Sequence, residues 1–420
     1  MSHPYNDQPD SAFWRRAIGD RMPHEIGDWY TKRFSLDGKR IATAGSCFAQ
    51  HLGRQLRNAG FDYVDCELPP TGLPESDYLD WGYKMYSARY GNVYTSRQLV
   101  QLLDRATGIF DPVEDYWERD GGVVDPFRPT IEPEPFGSVE ELRALREDHL
   151  AATAEVFRTA DVLVFTMGLT EAWLSKKDGA CFPLCPGTAG GTYDPDRHFL
   201  QNLGSADVRA DMEAFLAKVR RINPRLEILL TVSPVSMMAT ATPQQVSVAT
   251  VYTKSVLRAV AGELYAAHDH IDYFPSYDMV VGPAARGAFF KEGMREVAPE
   301  GVAYVMSHFL SEHRPPGAGE APAAPVRPEA APDIAPRMAP RQAPHQPSGA
   351  AARPAPAPTM APAAPQGQKP AARPVPARPA PARPAPARSA PVDLSGIDPD
   401  EDDIKCDEEL LNTFGKPGKG

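Results

Sequence analysis

Apolar residues recur along the chain in two rhythms, and their alternation predicts the fold. Ile41-Ala42-Thr43-Ala44 reads as a short buried strand; Gly45-Ser46 follows as a turn, and Phe48, Leu52 and Leu56 recur at four-residue spacing as one face of a helix. Leu99, Leu102 and Leu103 form a second helical face after Gly91-Asn92-Val93-Tyr94-Thr95, and the stretch from Ile109 to Ser138, rich in Pro, Asp, Gly and aromatics, reads as extended loop. A polar helix from Leu142 to Phe157 leads into Asp161-Val162-Leu163-Val164-Phe165-Thr166-Met167, which is short, apolar and β-branched, hence a second buried strand. A loop with Gly187, Gly190, Gly191 and Pro195 precedes a helix from Asp207 to Arg221, and Leu226-Glu227-Ile228-Leu229-Leu230-Thr231-Val232-Ser233 makes the third strand. A helix from about Tyr252 to His268, a strand Ile271-Asp272-Tyr273-Phe274 and a helix from Pro299 to Leu310 complete the pattern. Strands alternating with helices predict an α/β fold of three layers, a mainly parallel sheet flanked by helices.

Composition changes this picture at the C-terminal end. The 420 residues include 45 Pro, well above the roughly 5% of average usage. About half of them lie between Arg314 and Pro391, in a stretch built almost wholly from Pro, Ala and Arg. So few apolar side chains cannot offset the entropy of ordering, and a disordered C-terminal tail is expected there. Four regions follow: an N-terminal extension over 1–30, an α/β domain over 31–314, a disordered Pro/Ala/Arg-rich linker over 315–392 and an acidic C-terminal segment over 393–420. The last carries Asp398, Asp400, Glu401, Asp402, Asp403, Asp407, Glu408 and Glu409, then Leu410, Leu411 and Phe414. Acidic residues ending in apolar ones can fold onto a protein partner as a short amphipathic helix, although composition alone favours a solvated acidic terminus.

Charge and cysteine usage narrow the function classes. A net charge of −11 disfavours a nucleic-acid binder. Five cysteines without a paired framework are not a secreted disulfide scaffold. Met1-Ser2-His3-Pro4-Tyr5-Asn6-Asp7 lacks the basic and apolar regions of a signal peptide, and no membrane span is expected, since no apolar run approaches the roughly 18 residues needed. A cytoplasmic location is the default. Cys181 and Cys185 lack two further ligands nearby, so no metal site is assigned, and no cofactor motif is present.

In a parallel sheet the loops after the first three strands, Gly45-Ser46-Cys47, Gly168-Leu169-Thr170-Glu171 and Ser233-Pro234-Val235, open on one edge. A hydroxyl at the Ser46 turn stands above that edge, where free N–H groups of a helix start can stabilise an oxyanion. Ser46 is equally a favoured N-cap. Cys47, inside the apolar pattern, reads as a buried packing residue.

Gly45-Ser46-Cys47-Phe48-Ala49 is the signature of the GSCFA family, which resembles the SGNH (GDSL-type) hydrolases. The likeness extends to Tyr90-Gly91-Asn92-Val93-Tyr94, Gly168-Leu169-Thr170-Glu171-Ala172-Trp173, Thr231-Val232-Ser233-Pro234-Val235 and Tyr273-Phe274-Pro275-Ser276-Tyr277, over roughly residues 30 to 310. The resemblance implies an SGNH/flavodoxin-like fold and a serine esterase or acyltransferase, with a link in some members to surface polysaccharide modification. It implies Ser46 as nucleophile, Gly91 as an oxyanion donor, and Thr170 where an asparagine is expected, a weaker donor that Asn92 would supplement. Glu171 is either a site carboxylate or the first-turn acid of a helix.

The base departs from the family's pattern. SGNH enzymes carry Asp-x-x-His before the final helix, and Phe290-Lys291-Glu292-Gly293-Met294-Arg295-Glu296-Val297-Ala298-Pro299 contains no histidine. A serine needs a base near neutral pH. His198, in a loop after the Gly168 block, is the substitute expected here; His51 is expected to point down the side of its helix, and His308 reads as a half-buried core histidine. Two functions compete: a serine esterase or O-acyltransferase acting on a carbohydrate, glycolipid or other acylated small molecule, and a noncatalytic glycan-binding or scaffolding protein that kept the fold and lost the base.

Overall fold

The computed structural model describes residues 3–313 and 404–413. The elements in chain order are β1 (Ile41–Gly45), α1 (Phe48–Asn58), α2 (Ser96–Ala106), β2 (Trp117–Arg119), β3 (Gly122–Val124), α3 (Val139–Thr159), β4 (Val162–Met167), β5 (Glu171–Ser175), β6 (Cys181–Phe182), β7 (His198–Asn202), α4 (Ser205–Ile222), β8 (Glu227–Val232), α5 (Val246–Ala267), β9 (Ile271–Tyr273), α6 (Ser276–Val281) and α7 (Pro299–Glu312). A 3-10 turn covers Asp407–Thr413. All described residues fall in one compact unit. The stretch 315–392, expected to be disordered, lies outside the described residues.

β1, β4, β8 and β9 form a parallel sheet in that order. Successive side chains of a strand point to opposite faces, so each buried strand feeds two cores. Ala42, Ala44, Leu163, Phe165, Ile228 and Leu230 pack with residues of α2, α3, α4 and α5. Ile41, Val162, Val164 and Leu229 face the other way, against α1, α6 and α7. The result is the expected three-layer α/β fold. Among the described residues no helix is long and apolar enough to cross a membrane.

The segments expected to be loops contain two small sheets. β2 and β3 form an antiparallel hairpin, and β5 sits between β6 and β7, antiparallel to both. Their strands are two to five residues long, too short for a period-two pattern to stand out among Gly and Pro. Trp117, Val124, Ala180 and Phe182 bury a separate apolar cluster between them.

Candidate active site

β1 ends at Gly45, whose φ of 140° is one that L side chains rarely adopt. A Cβ there would lie 2.4 Å from the Thr166 carbonyl oxygen, so only glycine lets β1 run this close to β4. The Ser46 N–H donates to that oxygen at 3.1 Å, which fixes the turn. The residue at the N-cap of α1 is Cys47, and no side chain caps the helix. Ser46 is therefore not spent on capping: its Oγ is buried and has no hydrogen-bond partner among the described residues. An orphaned buried hydroxyl costs stability, which marks the position as one kept for something other than packing.

Gly168, after β4, closes on the serine. A Cβ on Gly168 would come within 2.9 Å of Ser46 Cβ and 3.2 Å of the Tyr94 carbonyl oxygen. The Lys254 ammonium group, carried in on α5 and 2% exposed, donates to the Gly168 carbonyl at 2.8 Å. Burial pushes the Lys254 amine down to about 8, against an opposing pull from Glu408. Ser46 and Lys254 are thus both immediate neighbours of Gly168. The buried Tyr94 hydroxyl is a second orphan, and burial together with Cys406, Asp407 and Glu408 raises its pKa.

Asn92 comes from the loop before α2. Its carboxamide oxygen accepts from Tyr86, whose hydroxyl also reaches the Ser46 carbonyl at 3.2 Å, so the amide is tied to the backbone of Ser46. Gly91 holds φ at 68°, and a Cβ there would rest 3.5 Å from Arg128. Arg128 braces this loop: it donates to the Arg89 carbonyl at 3.1 Å and to Asp125 at 3.1 Å. Arg89 and Arg128 both approach Glu67 at 3.8 Å, and Glu67 meets His149 at 2.7 Å.

Other expected site residues are placed elsewhere. Thr170 donates to Asn202 at 2.6 Å and shares a 2.9 Å hydrogen bond with Thr253, so its hydroxyl is engaged away from Ser46. Glu171 opens a strand, not a helix, and its carboxylate accepts from the Thr240 hydroxyl and the Ala241 N–H, anchoring that loop. His198 pairs with Ser175 at the end of β5 opposite to Glu171, roughly 13 Å along the strand at about 3.3 Å per residue. Its Nδ1 accepts from the Asp194 N–H at 3.1 Å and its Nε2 meets Glu114 at 3.0 Å. The loop folds back on β5 rather than over the serine, because β7 pairs with it. His51 lines a cavity of about 480 Å3 with Cys47, Met238, Arg295, Ile404 and Cys406, so it faces this cavity, contrary to the expectation.

Composition does not disclose the last component of the site. Residues 404–411 lie against the loops around Ser46, and Asp407 and Glu408 are buried, not solvated. Asp407 accepts from Asn92 Nδ2 at 2.9 Å and from the Thr130 hydroxyl. Cys406 accepts from Arg295 at 3.6 Å and from the Cys47 thiol, and this bond together with burial keeps Cys47 protonated.

Residues 40–309 match the GSCFA family. The chain belongs to the GSCFA family. No curated protein is significantly similar to it. Solved structures that resemble this GSCFA chain include that of an acetyl esterase mutant with an acetate ion, at 8% identity and a TM-score of 0.30, covering 65% of this chain and 95% of that one.

Proposed function

We propose that this GSCFA protein is a cytoplasmic serine esterase or O-acyltransferase acting on an acylated carbohydrate or glycolipid, as in surface polysaccharide modification. The observation that carries the reading is the buried, unpartnered Ser46 hydroxyl at the carboxyl edge of a parallel sheet. Ser46 Oγ attacks the ester carbonyl carbon, and its proton passes to the neutral amine of Lys254. Gly91 N–H and Asn92 Nδ2 hold the oxyanion. Lys254 then returns the proton to the departing alkoxide, leaving an acyl-serine. Water or a sugar hydroxyl attacks that ester, giving the free acid or a new ester. Lys254 takes the role first expected of His198 because burial brings its pKa near neutrality and it shares Gly168 with Ser46. Thr170 and Glu171 brace the neighbouring strand and loop through Asn202 and Ala241.

The noncatalytic reading is favoured by one observation, the lack of a histidine between Phe290 and Pro299. Purified protein assayed against p-nitrophenyl acetate and acetylated sugars separates the two. Turnover abolished by Ser46→Ala supports the enzyme; turnover equal in both proteins, or none in either, supports the binding protein.

A further inference from the structure

We infer that the cleft over Ser46 is a binding site for an acidic peptide, and that its occupant is the chain's own C-terminal segment, residues 404–411. This goes beyond the esterase reading and does not depend on it.

The cleft reads both backbone and side chains of the segment. Gln50 clamps Lys405 with a pair of amide hydrogen bonds: Gln50 Nε2 donates to the Lys405 carbonyl at 2.8 Å, and the Lys405 N–H donates back to Gln50 Oε1 at 3.2 Å. Asn92 adds a 3.3 Å bond to the same carbonyl. Such a clamp recognises peptide main chain irrespective of sequence. Side-chain selectivity comes next. Lys405 Nζ donates to the Asp80 carbonyl at 2.8 Å, Asp407 is held by Asn92 and Thr130, and Glu408 lies 3.7 Å from Arg295 and accepts from the Met238 N–H.

Charge makes the fit specific. Lys254 and Arg295 bring two cations to the bottom of the cleft, and Arg295 Nε has no hydrogen-bond partner among the described residues. An empty cleft leaves Lys254 without the Glu408 carboxylate and Arg295 with Glu296 alone, at 3.8 Å, and buried charge short of its counter-charge is costly. The segment supplies the missing sign at the right depth. About ninety residues separate His313 from Ile404, and closing a loop of that length costs little more than closing one half as long. The docked segment occupies the Asn92 amide and lies against Cys47, the residue after Ser46, so an acyl substrate that uses that amide and the segment exclude each other.

The test uses the full chain and a thiol reagent, so it needs no turnover. Cys47 lies beneath the segment and touches Cys406. N-ethylmaleimide labelling of Cys47, read by peptide mass spectrometry, is expected to run at least tenfold faster in Asp407→Ala/Glu408→Ala than in the native chain. Equal rates overturn the inference. A second measurement avoids any variant. Diamide, a diazene oxidant, takes up the two thiol hydrogens and becomes a hydrazine, while Cys47 and Cys406 join as a disulfide. The disulfide is expected within one chain. In a mixture of isotope-labelled and unlabelled chains, linkage between copies overturns the assignment to the chain's own segment, and absence of linkage overturns the contact. A protein inactive on every ester, yet passing both measurements, overturns the esterase reading alone.

Discussion

Asn92 Nδ2 donates to Asp407 Oδ2 at 2.9 Å across 315 positions of sequence. The same amide is the oxyanion donor of the proposed reaction, so one group serves both the segment and the transition state. The two partners of this bond therefore have opposite effects on rate. Asn92→Ala is expected to lower kcat toward p-nitrophenyl acetate by about 10²-fold or more, the usual loss for one oxyanion donor. Asp407→Ala is expected to raise kcat/KM by uncovering the cleft. Steady-state kinetics of both variants check the pair; a fall in both contradicts the competition.

Lys254 sets the expected pH dependence. In the proposed reaction its amine must be neutral to accept the serine proton, and burial lowers its pKa to about 8. The rate is expected to rise with pH and level off above about 8. Glu408 opposes that lowering, since a nearby carboxylate favours the ammonium form. Glu408→Gln is therefore expected to move the midpoint to lower pH, and Lys254→Arg, which cannot lose its proton in this range, to abolish turnover. A pH profile of kcat/KM reads all three.

Much of this site was legible in the sequence for a physical reason. Buried parallel strands such as Val162–Met167 are continuous apolar runs, and Gly45 and Gly168 are glycines because Thr166 and Ser46 approach their backbones. Lys254 was not legible, because a lysine in a long amphipathic helix reads as solvated until packing shows it buried at 2% exposure. The burial of Asp407 and Glu408 is hidden for a related reason: an acidic run is a solvated terminus unless a remote cationic pocket receives it, and no local pattern announces one. His198 is placed by a contact just as illegible. Its strand pairing with Ser175, a contact between distant residues, carries it off toward Glu114.

Gly168 tests how tightly the serine is placed. Its φ is ordinary, so only space forbids a side chain. The added methyl of Gly168→Ala would lie 2.9 Å from Ser46 Cβ and 3.2 Å from the Tyr94 carbonyl oxygen, and one neighbour is backbone. Overpacking of this kind costs about 1–3 kcal/mol. The variant is expected to fold with lowered stability in urea denaturation and to lose most of its turnover, since the displaced group is the proposed nucleophile. Native turnover in Gly168→Ala contradicts the placement of Ser46.

The charge network under the Gly91 loop governs acid stability, and its sign follows from the two titrations. Burial pushes Glu67 up, but the hydrogen bond from His149 and the charge of Arg128 outweigh it and hold the carboxyl at about 2. Burial, helped by Arg128, lowers His149 to about 4. Below about pH 6.5 the unfolded chain binds a proton at His149 that the folded chain refuses until about pH 4. Below about 4.5 the unfolded chain likewise protonates Glu67 while the folded chain keeps it ionised until about 2. Each step favours the unfolded state, so folded stability is full near neutrality and falls continuously as pH drops from about 6.5 toward 2. Glu67 alone is worth about 3–4 kcal/mol across its window at about 1.4 kcal/mol per pH unit. Glu67→Gln is expected to remove the part of the slope below about pH 4.5 and to lower stability at pH 7, where Arg89 and Arg128 lose a carboxylate. Urea denaturation at pH 7, 5, 4 and 3 measures the slope in both proteins; an identical slope in Glu67→Gln removes Glu67 from the account and leaves the acid sensitivity to His149.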